Sequence, residues 1–159
     1  MEYNLKDKWI LWFHSITDND WSKSSYKELS KVENLFDYQY FKDIFKQDHY
    51  QNGMFFLMKE NIFPTWEDPD NRNGGCLSFK VSSVDIIDEW NELILRCITG
   101  NILNDNNQEI NGISISPKKE FNIIKIWFKD NNFNYKEKYN EYGQYFKLDK
   151  SLYKKNDVN

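Results

Sequence analysis

Alanine is missing from this 159-residue chain, and cysteine, histidine and proline number only two, two and three. Cys76 and Cys97 lack CxxC spacing, and only His14 and His49 could join them. Neither a structural zinc site nor a disulfide framework is indicated. No apolar run approaches the ~20 residues of a membrane-spanning helix, and the N-terminus shows no signal-peptide core. The expected setting is reducing and cytoplasmic, without membrane contact. Positive charge is short as well: 21 Lys and Arg stand against 25 Asp and Glu, for a net charge of −4. Proteins that grip nucleic acid mainly through phosphates are normally basic. Any nucleic-acid partner must therefore be held by a compact site. There is also no Gly-rich phosphate loop, no metal-ligand spacing and no nucleophile motif. The chain reads as non-catalytic, with no cofactor or metal implied.

Aromatic residues are plentiful: six Trp, ten Tyr and twelve Phe, 18% of the sequence, at a mean hydropathy of −0.82. That combination suggests an aromatic interior under a very polar surface. The length fits a single domain over 1–159, expected as a monomer, and no repeat or linker divides it. The pattern predicts strands over Lys8–His14, Gly53–Lys59, Cys76–Val81, Ile113–Ser116 and Asn122–Phe128. It predicts a helix over Ser25–Phe45 on the three-and-four spacing of Leu29, Val32, Phe36, Tyr40 and Ile44. A second helix is predicted up to about Ile98, opened by a Ser82–Asp85 capping box, with Val84, Ile87, Trp90, Ile94 and Ile98 facing inward. Beyond Asp130 the signal fades into a Tyr-, Asn- and Lys-rich segment, 131–159. The sum is an α+β domain, a curved antiparallel sheet backed by two long helices.

Two tryptophans lie outside these apolar patterns. Trp21 sits in the polar stretch Asn19-Asp20-Trp21-Ser22-Lys23, and Trp66 in Pro64-Thr65-Trp66-Glu67-Asp68. Two loop indoles with a carboxylate beside one of them can make a slot for a flat cation. Aromatic faces attract positive charge, and the acid accepts hydrogen bonds from ring N–H groups. A 7-methylated guanine, the cap of eukaryotic messenger RNA, is such a cation. Trp9, Trp12 and Trp90, in periodic apolar segments, read as core.

The residues Lys8-Trp9-Ile10-Leu11-Trp12-Phe13, Trp21, Phe63-Pro64-Thr65-Trp66-Glu67-Asp68 and Asn71-Arg72-Asn73-Gly74-Gly75 resemble the cap-binding translation initiation factor 4E family. The helix bearing Trp90 and Ile124-Lys125-Ile126-Trp127 continue the resemblance, in the family's order. The resemblance implies a cupped sheet with helices on its convex side and a cap slot in its concave face. Position by position, Trp21 and Trp66 match the stacking indoles and Glu67 matches the acid on the guanine edge. Trp127 matches the indole against the N7-methyl group, and Lys118 a phosphate-binding arginine. Capped mRNA is the implied partner.

Departures accompany the match. Cys76, Ile123 and Glu120 stand where the family carries basic residues, and Lys119 and Lys125 are near enough to substitute. The tail aromatics Tyr139, Tyr142, Tyr145 and Phe146 are candidates for stacking on the first transcribed nucleotide. On the convex side, Leu35, Gln39, Asn91, Glu92 and Leu95 match the surface that takes a helical peptide of scaffold factor 4G or of inhibitors. Gln39 replaces a tryptophan there and Asn91 a leucine. These departures point to a divergent or viral member. Three functions remain open: translation initiation, cap sequestration by a repressor, and recognition of a methyl-ammonium (methyl-lysine) peptide by the same slot.

Overall fold

A computed structural model describes residues 3–44 and 46–156. Seven strands run through the chain: β1 (Asn4–Ser15), β2 (Lys27–Asn34), β3 (Gly53–Lys59), β4 (Gly75–Ser82), β5 (Ile110–Pro117), β6 (Phe121–Phe128) and β7 (Leu152–Lys155). They form one sheet in the order β2-β1-β3-β5-β6-β4-β7, with every neighbouring pair antiparallel. Three helices accompany them: α1 (Leu35–Ile44), α2 (Gln47–Asn52) and α3 (Ile86–Ile98). The architecture is the curved open sheet with helices on its convex side that the sequence suggested.

Alternation sends one set of side chains from each strand to each face. Trp9, Leu11, Phe55, Leu57, Leu77, Phe79, Ile113, Ile115, Ile124 and Ile126 form the convex face and join the main core. α3 covers it with Ile86, Trp90, Leu93, Ile94 and Ile98, all buried. Phe56, Met58, Cys76 and Trp127 point the other way and form a second, smaller cluster with Trp12, Tyr26, Met54 and Ile62. That cluster floors the concave face.

Three expectations need correction. The helix predicted from Ser25 is a strand as far as Asn34, and helix only from Leu35; its last residue, Phe45, lies outside the described residues. β2 pairs with β1 alone, through two irregularities in register, so it is an edge strand carrying Lys27, Glu28, Lys31 and Glu33. Edge strands are kept polar, which removes the period-2 signal. α1 starts where Asn34 Oδ1 accepts the Asp37 N–H at 3.0 Å, a side-chain N-cap. The Ser82–Asp85 capping box does not form: α3 begins at Ile86, and Val84 is 90% exposed. The Asp85 carboxylate is engaged by the Tyr145 hydroxyl instead.

The tail corrects the third. Tyr139 and Phe146 are buried against Phe79 in the main core, and Arg96 caps the Tyr142 ring at 3.7 Å. These rings complete the convex side and do not line the concave one. The tail then returns to the sheet as β7, paired with β4.

Candidate nucleotide site on the concave face

The Trp21 loop is built from short-range carboxylate turns. Asp18 Oδ1 accepts the Asp20 N–H at 2.9 Å, and Asp20 Oδ1 accepts the Ser22 N–H at 2.8 Å. Hydrogen bonds from the Ser22 backbone and side chain hold the Asp20 carboxyl below its ordinary value, with His14 adding a smaller pull in the same direction. Asp and Ser favour such local backbone bonds over regular structure. Trp21 is left 52% exposed.

Beneath it lies His14, near the end of β1 and wholly buried. The imidazole and indole are stacked with centroids 3.8 Å apart and planes 1° from parallel. His14 Nδ1 lies 2.9 Å from the Ser15 carbonyl oxygen, and Nε2 lies 2.7 Å from that of Asp20 and 3.1 Å from Ser25 Oγ. Contacts at both edges fix the plane of the ring, and hence the plane of Trp21.

The Trp66 loop is held from inside. Asp68 accepts the N–H groups of Phe63 at 3.0 Å and Asp70 at 2.9 Å. Asn71 is fully buried, and its Nδ2 donates to the carbonyls of Phe63 at 3.0 Å and Thr65 at 2.9 Å. Asn111 on β5 donates to Asn71 Oδ1 at 2.9 Å, and Asn156 in the tail donates to the Asn71 carbonyl at 2.9 Å. A buried polar side chain with this many partners is a strong restraint. Trp66 and Glu67 ride exposed on this braced loop.

Tyr26 brings the two loops together. Its ring is 6.3 Å from Trp21, 4.9 Å from His14, 5.2 Å from Phe63 and 5.7 Å from Phe56. Burial pushes its phenol up, and the Glu67 carboxylate pushes it further the same way. Trp21, the Phe63–Glu67 turn and the concave cluster therefore meet around one tyrosine. Neither Tyr26 nor His14 was singled out from sequence. Tyr26 lies just before a polar edge strand, and His14 reads as the last residue of an apolar run.

Trp127 stands on the floor, 7% exposed, its Nε1–H donating to Ser114 Oγ at 2.9 Å. Lys125 shares its face, two residues away and opposite Ser78 and Ser114. Lys118 and Lys119 lie exposed at the β5–β6 hairpin tip, where the Lys118 N–H donates to the Phe121 carbonyl at 2.8 Å. Cys76 is buried beside Trp127, and desolvation pushes its thiol up to about 12 against a downward pull from Lys125.

The residues expected on the convex side lie on α1 and α3, joined where the Tyr38 hydroxyl donates to the Asn91 carbonyl at 3.2 Å. Leu35 and Leu95 are half-buried against the core. Gln39 is exposed and its amide donates to Asp43 at 3.0 Å, whereas Asn91 is buried. Glu92 pairs with Arg96 at 2.9 Å. No group of metal-ligating side chains occurs among the described residues, and no helix there is long and apolar enough to cross a membrane.

The family model for eukaryotic initiation factor 4E matches residues 4–157, running past Phe128 into the tail. The eukaryotic translation initiation factor 4E of Candida albicans is 30% identical over 140 residues, covering 81% of this chain and 66% of that protein. The factor 4E1 of Drosophila melanogaster is 30% identical over 139 residues, covering 82% of this chain and 52% of its own. The chain thus spans about half to two thirds of the length of these curated relatives. Among solved structures, Ascaris suum eIF4E-3 in complex with m7G cap aligns with a TM-score of 0.74 at 22% identity, over 83% of this chain and 76% of that one. Schistosome eIF4E complexed with m7GpppG and 4E-BP aligns with a TM-score of 0.74 at 19% identity, over 82% and 74%. The structural likenesses establish the fold, and the match along the sequence establishes descent: this chain belongs to the eukaryotic initiation factor 4E family.

Proposed function

We propose that this protein is a non-catalytic domain that binds the 7-methylguanosine cap of mRNA in the cytoplasm and serves translation initiation. The methylated base is sandwiched between Trp21 and Trp66, Glu67 accepts hydrogen bonds from its edge, and Trp127 meets its methyl group. The observation that carries the reading is the meeting of exposed Trp21 and the Trp66–Glu67 loop around Tyr26 on the concave face. Family membership supports it, as do neighbours whose complexes contain m7G cap and m7GpppG. Stacking contributes roughly 1–3 kcal/mol per base–aromatic contact, and a desolvated cation–π contact about 2 kcal/mol. Bonds to the ionised acid add about 1.5–3 kcal/mol each. Lys118, Lys119 and Lys125 are the expected phosphate contacts.

Glu67→Ala tests the assignment. Glu67 is exposed, so its loss should leave the melting temperature unchanged while binding of 7-methyl-GTP falls about a hundredfold. Unchanged cap affinity would remove Glu67 from the site. A methyl-lysine peptide would lose nothing in this variant, which separates that ligand class from the cap.

A second reading is favoured by the convex face. Gln39 offers no aromatic anchor of the kind that dominates protein interfaces, and its amide is already engaged by Asp43. A protein that holds the cap but recruits no scaffold would act as a repressor. Capture of a 4G-like or 4E-binding protein that depends on Leu35 and Leu95 supports the initiator. Cap binding without such capture supports the repressor.

A further inference from the structure

A chain with a net charge of −4 repels an anionic ligand unless local cations receive it. Strand register places those cations. Cys76 on β4 is flanked by Trp127 on β6 and by Lys154 on β7, and Ser78 by Lys125 and Leu152. Laterally paired residues share a face. Lys154 therefore projects from the same concave face as Trp127 and Lys125, at its rim. Four other lysines on or beside this face are occupied. Lys8 pairs with Glu33 at 3.2 Å, Lys31 with Glu60 at 3.5 Å, Lys80 lies over the Phe121 ring at 4.9 Å, and Lys23 lies over Phe63 at 5.3 Å. Among the described residues, no carboxylate lies within ion-pair distance of Lys125 or Lys154.

We propose that Lys154, on the last strand, is a phosphate-binding residue that holds the phosphate bridge of a 5′-capped nucleotide from the side opposite Lys125. This rests on the cap-binding reading and adds to it a residue in the divergent tail. The two lysines are two strands and two residues apart, which puts their Cα atoms about 12 Å apart. Two flexible ammonium arms closing from that separation can straddle a chain of two or three phosphates. The Asn156–Asn71 bond, one turn of the alternation beyond Lys154, ties the same end of β7 to the loop carrying Trp66. Base slot and phosphate rim are thereby held to one frame.

The test is Lys154→Gln, with Lys154→Arg as the charge-keeping variant and Lys155→Gln, one residue along and on the opposite face, as control. Binding of 7-methylguanosine, 7-methyl-GMP and 7-methyl-GTP is measured at two salt concentrations, with competition by inorganic tripolyphosphate. Lys154→Gln should leave the nucleoside unaffected and weaken 7-methyl-GTP roughly five- to tenfold. It should also lower the salt dependence by about one released ion, with Lys154→Arg and Lys155→Gln close to the unmodified protein. Unchanged 7-methyl-GTP affinity and salt slope in Lys154→Gln would overturn the proposal. Failure of the cap reading shows separately, as a loss of preference for methylated over plain guanine in the unmodified protein, whereas tripolyphosphate competition reports Lys154 without any base.

Discussion

The imidazole of His14 and the indole of Trp21 lie face to face, 3.8 Å apart and within 1° of parallel, with the histidine buried and the tryptophan open on its other side. One half of the proposed slot is thus set before any ligand arrives. Preorganisation of this kind lowers the ordering cost of binding. His14→Ala should remove the backing and weaken 7-methyl-GTP roughly two- to tenfold, the worth of an aromatic pair of about 0.5–1.5 kcal/mol. His14→Phe keeps a ring under Trp21 and should restore most of the affinity. Tryptophan quenching titrations on both variants check this; equal affinity in His14→Ala would show that Trp21 needs no support.

Asn71 is expected to matter to the site without touching a ligand. Asn71→Ala removes a donor from each of the part-buried carbonyls of Phe63 and Thr65 and the buried acceptor of the Asn111 amide. The expected loss is about 2–4 kcal/mol of stability, read by urea unfolding. Cap affinity should fall as well, because the Trp66 loop loses its internal brace.

Gly74 ends that loop where the chain passes close to β6. A Cβ at this position would meet the Phe128 carbonyl oxygen at 1.7 Å, a contact with backbone that cannot rotate away. Gly74→Ala should therefore destabilise the protein by at least about 1–3 kcal/mol, measured as a lower melting temperature. Gly100→Ala makes a poor comparison, since its φ of +71° adds strain of its own.

Alkaline pH should unfold the protein through its buried phenols and thiols. Burial raises Tyr50, Tyr139, Tyr142 and Tyr153 above their ordinary 10.0, raises Cys97, and takes Cys76 from 9.0 to about 12. Between the ordinary and the raised values the unfolded chain binds fewer protons, so stability falls as pH rises. Their contribution is fully present below about pH 9 and is lost on the way up through the folded values. Lys59, whose ammonium burial pulls down, acts in the opposite direction, one group against six. Urea midpoints should drop steadily above about pH 10, with tyrosinate absorbance rising together with unfolding. A flat profile up to about pH 11 would contradict this.

Much of this was legible in the sequence because apolar period and burial coincide. Gly53–Lys59 is the strand its residues suggest, and Trp90 and Ile94 are core. Leu29, Val32 and Phe36 misled because an edge strand buries little: only Val32 of β2 is buried, and the three-and-four spacing around it is accidental. Val84 was placed inward by a capping box that lost its acid to Tyr145, a partner sixty residues away. Long-range partners also hid Asn71, bound by Asn111 and Asn156, and the tail rings Tyr139 and Phe146, packed on Phe79. The concave face shows the same division. Trp21, Trp66 and Glu67 stand out as aromatic and acidic residues in polar loops, whereas His14, Tyr26 and Lys154 gain meaning only from register and stacking.

The most direct test of the whole account is one titration of intrinsic tryptophan fluorescence with 7-methyl-GTP and with GTP. The expected result is strong, saturable quenching by the methylated nucleotide and binding of GTP weaker by at least about tenfold, since methylation supplies the positive charge that the proposed pair of indole faces and acid would recognise. Equal quenching and equal affinity for the two nucleotides would contradict it.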